Sequence, residues 1–211
     1  PGPEPPPVEW LAFLGVVAGV SLSGVMSPGP LSALILARGR QDPWAGLWAN
    51  LGHALAETPL ILLLWGGLQL LHAPDVRRGV SLLGGLFLLW LGQGMLRRPS
   101  EGPPGAPAGR EGGTLLAGAA LTLFNPYWLL WWLTVGAGLI ARAQALGRAG
   151  ALAAMTALHL ACDFAWGLFL SWAAHRGGSA LGAGGWRWIE RGCGAAILAF
   201  GLFFLWEGMA G

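Results

Sequence analysis

The sequence predicts an all-α membrane protein: six transmembrane helices forming two inverted three-helix repeats, with helices 1 and 4 broken. Three observations carry this. First, the 211-residue chain is 55% hydrophobic and only 10% charged, with mean hydropathy +0.58, whereas soluble domains average about 25% charged residues. Second, apolar stretches of the roughly 17 to 25 residues needed to cross about 30 Å of hydrocarbon recur along the chain. Third, two polar triads, Asn50, His53, Glu57 and Thr156, His159, Asp163, share the spacing i, i+3, i+7 inside apolar runs in opposite halves.

Residues 1–9 are expected to be a disordered tail, since Pro1 to Pro7 is too rich in proline and glycine for the basic start of a signal peptide. Segment 1, Trp10 to Ala37, contains Ser27-Pro28-Gly29-Pro30. Two prolines there remove two backbone donors and restrict the residues before them, so the helix must break or kink. Segment 2, Trp44 to Leu71, carries the first triad and Pro59 just beyond Glu57. Segment 3 runs from Val76 to Leu96. Residues 97–113, dense in Pro, Gly and charge, read as a cytoplasmic linker that cannot bury apolar area. Segment 4, Thr114 to Ala141, breaks at Asn125-Pro126; segment 5, Ala145 to Ala174, carries the second triad; segment 6 spans Trp188 to Met209.

Residues 10–96 and 114–211 resemble each other. Gln93-Gly94-Met95 at the end of segment 3 matches Glu207-Gly208-Met209 at the end of segment 6, and both segments open near an Arg-Gly pair. Because each half has three crossings, the second copy enters from the opposite side, as in many secondary transporters. Loops 1–2, 3–4 and 5–6 hold Arg38, Arg40, Arg97, Arg98, Arg110, Arg176, Arg187 and Arg191, against Arg77, Arg78, Arg142 and Arg148 on the other face. The positive-inside rule then puts both termini outside the cytoplasm.

At about 100° per residue, each triad falls within roughly a 60° arc of one helix face. An ionisable group at the bilayer centre costs about 2.5 to 3.5 kcal/mol, and interhelical hydrogen bonds return only about 0.6 kcal/mol on average. The triads therefore call for a function beyond holding helices together. His53 and Glu57, like His159 and Asp163, are four residues apart and can touch; an imidazole beside a carboxyl group can exchange a proton near physiological pH. Paired helix breaks beside polar groups point to a transport site near the midplane. The candidate pathway is thus Ser27, Pro28, Gly29, Pro30, Asn50, His53, Glu57, Asn125, Pro126, Thr156, His159 and Asp163. An alternative is a divalent-metal site on His53, Glu57, His159 and Asp163, if segments 2 and 5 meet. Trp128, Trp131 and Trp132 read either as packing or as a cavity wall; His72 and His175 are expected to be solvated.

All 12 basic residues are arginine and the net charge is only +2, so nothing suggests a nucleic-acid partner. Cys162 and Cys193 lack metal or redox spacing and read as small hydrophobes. No hydrolase elbow, phosphate-binding glycine loop or dinucleotide fingerprint appears in the required context, so no enzyme activity and no cofactor are expected.

Ser27-Pro28-Gly29-Pro30 followed by Arg38-Gly39-Arg40, Gly52-His53 with Glu57, Asn125-Pro126-Tyr127-Trp128 with Trp131-Trp132, and His159 with Asp163 and Trp166 together resemble the LysE-type translocators. The resemblance covers about Trp10 to Met209. It implies a six-helix exporter of amino acids and related solutes in the cytoplasmic (inner) membrane of a prokaryote, driven by the proton gradient, with homo-oligomers possible. Its partners would be a small-molecule substrate and the lipid bilayer. Glu57 and Asp163 fall where acidic residues are typical of such proteins. The two histidines look like a feature of one branch, and the wider superfamily includes divalent-cation exporters, which keeps the metal alternative open.

Overall fold

The computed structural model describes residues 7–27, 29–67, 74–97, 111–146 and 149–210, among which the regular structure is entirely helical. Helix α1 (Pro7–Val25) opens on a proline, whose missing N–H costs nothing at a first helical position. It therefore begins inside the stretch 1–9 expected as a tail. After the break, α2 (Pro30–Gly39) restarts from an extended Gly29. Helix α3 (Ala45–Trp65) tolerates Pro59 in its interior, and α4 (Pro74–Arg97) follows. Segment 4 becomes α5 (Glu111–Leu123), α6 (Pro126–Trp131), a π-helical turn (Trp132–Gly136) and α7 (Ala137–Ala145). The axis bends by 59° between α5 and the run that begins at Pro126. Both breaks lie where proline removes donors from the helix; Pro28 itself and most of the linker, 98–110, lie outside the described residues.

The expected loop between segments 5 and 6 is corrected. Helical structure runs unbroken through α8 (Ala149–Ala210), including that connection. A straight helix of this length would measure about 93 Å, and Asp163 would stand about 51 Å from Ile197. Both residues nevertheless line one cavity, so the axis of α8 folds back between them. The connection is helical because its Ala, Leu and Trp residues continue the chain without proline, and its glycines allow sharp bending.

Val8–Val25, Ala45–Trp65 and Gly150–Gly177 are long and apolar enough to cross a membrane, and the bent pair Gly112–Leu123 with Pro126–Ala145 provides a fourth crossing if taken as one span. The third and sixth expected segments are represented by shorter apolar helices, Ser81–Gly94 and Arg191–Trp206. Along α3 the polarity is the reverse of a soluble protein's surface helix. Asn50, His53 and Glu57 of α3 are buried, while Leu55, Leu62 and Leu63 of the same helix are exposed. Exposed apolar faces around a buried polar centre mark a multi-pass membrane protein.

Glycines set the helix packing. In α4 and the last part of α8, Gly85 faces Gly201 and Gly92 faces Gly194, and Arg78 Nε donates to Gly208 O at 3.0 Å. These contacts share one antiparallel register at seven-residue steps. Helix α3 meets α8 at Gly46 against the Gly167 backbone, and meets α5 at Gly52 against the Leu115 carbonyl and at Ala49 against Gly118. Lipid tails are as apolar as leucine, so helices associate in membranes through such close approach. Two apolar clusters result, one around Val17, Ile61, Trp132 and Met155, the other around Leu34, Leu88, Ile197 and Phe204.

Candidate functional site

Between the clusters lies a cavity of about 110 Å³, lined by residues of both helix breaks, by Asn50, His53 and Glu57, and by His159 and Asp163. On α3, Gly46 and Gly52 let the backbones of α8 and α5 approach closely, which brings His53 and Glu57 against the second half. Glu57 Oε1 accepts hydrogen bonds from Trp128 Nε1 at 2.9 Å and Trp132 Nε1 at 2.8 Å, and lies 3.0 Å from His53 Nε2. The π-helical turn, with the Trp132 ring packed over Gly136, adjoins these indoles. Both thus point at one carboxylate oxygen from positions i and i+4.

The histidines are held by reciprocal cross-half bonds. His53 Nδ1 lies 2.8 Å from Thr122 Oγ1 on α5, and His159 Nδ1 lies 2.8 Å from Ser21 Oγ on α1. Each ring therefore docks on a hydroxyl of the opposite half's broken helix. The Nε2 atoms face the carboxylates: His159 Nε2 is 3.4 Å from Glu57 Oε2 and 3.6 Å from Asp163 Oδ2, and His53 Nε2 is 3.9 Å from Asp163 Oδ2. Glu57 Oε2 and Asp163 Oδ2 are buried and have no hydrogen-bond partner among the described residues. Trp131 stacks on His159 with centroids 5.3 Å apart and fits beside Gly24, where a Cβ would strike its indole nitrogen. Ligand atoms of His53, Glu57 and Asp163 lie within 4.8 Å of one another.

The remaining expected residues divide. Ser27, Gly29, Pro30, Asn50 and Asn125 line the cavity. Ser27 Oγ lies 3.4 Å from Tyr127 Oη, so the two breaks touch. Asn50 Nδ2 donates to the Asp163 carbonyl at 2.6 Å, across a crossing that glycine at position 167 keeps open. Pro126 is buried against Gly84, and half-buried Thr156 lies outside the cavity lining. His175 is exposed, whereas His72 lies outside the described residues. Cys162 is a buried free thiol.

Sequence reasoning passed over Thr122 and the donor role of the two indoles. The available signals were a hydroxyl four residues before Pro126 and tryptophans at helical spacing after it. At the second break, Asn125 Oδ1 caps α6 by accepting from Tyr127 N at 3.1 Å. Asn125→Ala is expected to cost about 1 kcal/mol, read as a lowered thermal unfolding midpoint in detergent, and Asn125→Asp should restore most of it.

Broken helices, a buried polar centre and outward apolar faces mark a multi-pass membrane protein, and the family match adds the transporter class. The chain belongs to the LysE type translocator family, whose sequence profile matches residues 22–208. No curated protein and no solved structure matches it.

Proposed function

We propose that this chain is a secondary transporter that exports amino acids or related small polar solutes across the cytoplasmic membrane of a prokaryote, coupled to protons. Two inverted three-helix halves alternate access, with both termini outside, and homo-oligomers are compatible with this arrangement. The observation that carries the reading is the reciprocal interlock: each half supplies a histidine to a hydroxyl of the other half's broken helix, around one cavity. Glu57 and Asp163 would carry protons, with His53 and His159 as relays and Asn50 completing the polar path.

Two features favour a zwitterionic solute. The carboxylates offer negative partners for an ammonium group. No arginine lines the cavity among the described residues, so a substrate carboxylate needs uncharged donors. Those are available at the start of α2, where Gly29 caps the helix without a side-chain bond and Leu31 and Ser32 border the cavity.

Counterflow in proteoliposomes, with a panel of amino acids and divalent metals inside and labelled solute outside, tests the substrate class. Trans-stimulated exchange of at least one amino acid is expected. Exchange confined to metals would replace this reading with metal export.

A further inference from the structure

The central cluster carries a chemistry that solute export does not require. Thr122 Oγ1 donates its proton to the Gly118 carbonyl at 2.8 Å. Its oxygen is then left to accept from His53 Nδ1, also at 2.8 Å, which fixes a hydrogen on Nδ1. In the neutral ring, Nε2 therefore turns a lone pair toward Glu57 Oε1 and Asp163 Oδ2. Beside it, two buried carboxylate oxygens have no hydrogen-bond partner among the described residues. Lone pairs and carboxylate oxygens converging on one point repel unless positive charge lies between them.

We propose that His53 Nε2, Glu57 Oε2, Asp163 Oδ2 and His159 Nε2 bind a divalent first-row transition-metal ion of the Zn²⁺ type. Zinc bound to nitrogen and oxygen at about 2.0 to 2.1 Å in a tetrahedron has ligand atoms about 3.4 Å apart. The four histidine-to-carboxylate separations, 3.0, 3.9, 3.4 and 3.6 Å, bracket that value, the first being to the other oxygen of Glu57. Two carboxylates against a dication leave the site neutral within the membrane. Two imidazoles favour Zn²⁺, Co²⁺ or a neighbour over Mg²⁺ and Ca²⁺, which take oxygen ligands. The outer partners fit as well. Metal-bound histidines hold their second nitrogen by a hydrogen bond, and bound carboxylates are themselves anchored; here Thr122, Ser21 and the two indoles do this.

The assignment concerns binding; it draws on the same four residues as the export reading but is tested separately from it. Tag-free protein in detergent, stripped with chelator and dialysed, is titrated with Co²⁺ by visible absorption and with Zn²⁺ by calorimetry. One equivalent per chain, with the strong visible bands of four-coordinate Co²⁺, is expected, displaced by Zn²⁺ but not by Mg²⁺ or Ca²⁺. His53→Ala combined with Asp163→Asn should abolish binding. Thr122→Val, which keeps the side-chain shape but loses the acceptor for Nδ1, should weaken it about 10- to 100-fold.

Absence of the bands, or equal binding by the double variant, would overturn the assignment. If the double variant shows no unfolding transition, Thr122→Val decides alone, and unchanged affinity there overturns it. Amino-acid counterflow with chelator present separates the two claims. Exchange without metal binding removes this assignment and leaves export standing, and metal binding without exchange does the reverse.

Discussion

Glu57→Gln is expected to reduce gradient-driven solute uptake into everted vesicles to the level of vesicles lacking the protein. Glutamine keeps an acceptor oxygen for the Trp128 and Trp132 indoles, which bond Oε1 at 2.9 and 2.8 Å, so the fold should survive. It places an uncharged amide where Oε2 faces His159 Nε2, and that amide neither carries a proton nor attracts a cation. Glu57→Ala should lose uptake and also stability, because it strands two indole donors at about 1 to 3 kcal/mol each. Thermal unfolding in detergent distinguishes the two variants. Uptake by Glu57→Gln equal to that of the unaltered protein would remove Glu57 from the coupling step.

Gly52→Ala should be among the most damaging single methyl additions at the described glycines. A Cβ at position 52 would collide with the Leu115 carbonyl and approach Ala119 N to 2.7 Å. These are backbone atoms of a packed helix and cannot swing aside. Overpacking usually costs about 1 to 3 kcal/mol, and here it pries α3 from α5, the contact that holds His53 to Thr122. Gly15→Ala has the opposite sign. Nothing lies within 4 Å of its Cβ, so it should gain about 0.5 to 1 kcal/mol of helix preference. Unfolding midpoints and monodisperse yield in one detergent compare the pair, and equal behaviour would refute the packing account.

The site was legible in the sequence to the extent that cost and periodicity made it so. Ionisable residues in apolar runs are expensive, and His53, Glu57, His159 and Asp163 stood out for that reason. Proline has few uses inside a helix, so the breaks near Pro30 and Pro126 were readable too. Pairings across the chain were not. Nothing local says that Thr122 meets His53, 69 residues away, or that Trp132 reaches Glu57, 75 residues away. These contacts depend on how close Gly52 and Gly118 let the helices come, a property of the packed structure.

The helical connection within α8 escaped for a related reason. Its glycines and arginines read as a loop, whereas the backbone keeps helical bonding while the axis turns back. Thr156 shows the limit of pattern matching. It occupies the place of Asn50 in the second triad, yet only Asn50 borders the cavity.

The central claim is that one transport site is built from both halves. Counterflow exchange in proteoliposomes by His53→Ala and by His159→Ala, each verified as folded by its unfolding transition, tests it most directly. Loss of exchange in both variants is predicted, because either substitution removes one arm of the reciprocal interlock. Full exchange by one variant, with loss in the other, would contradict a shared site and confine transport to a single half.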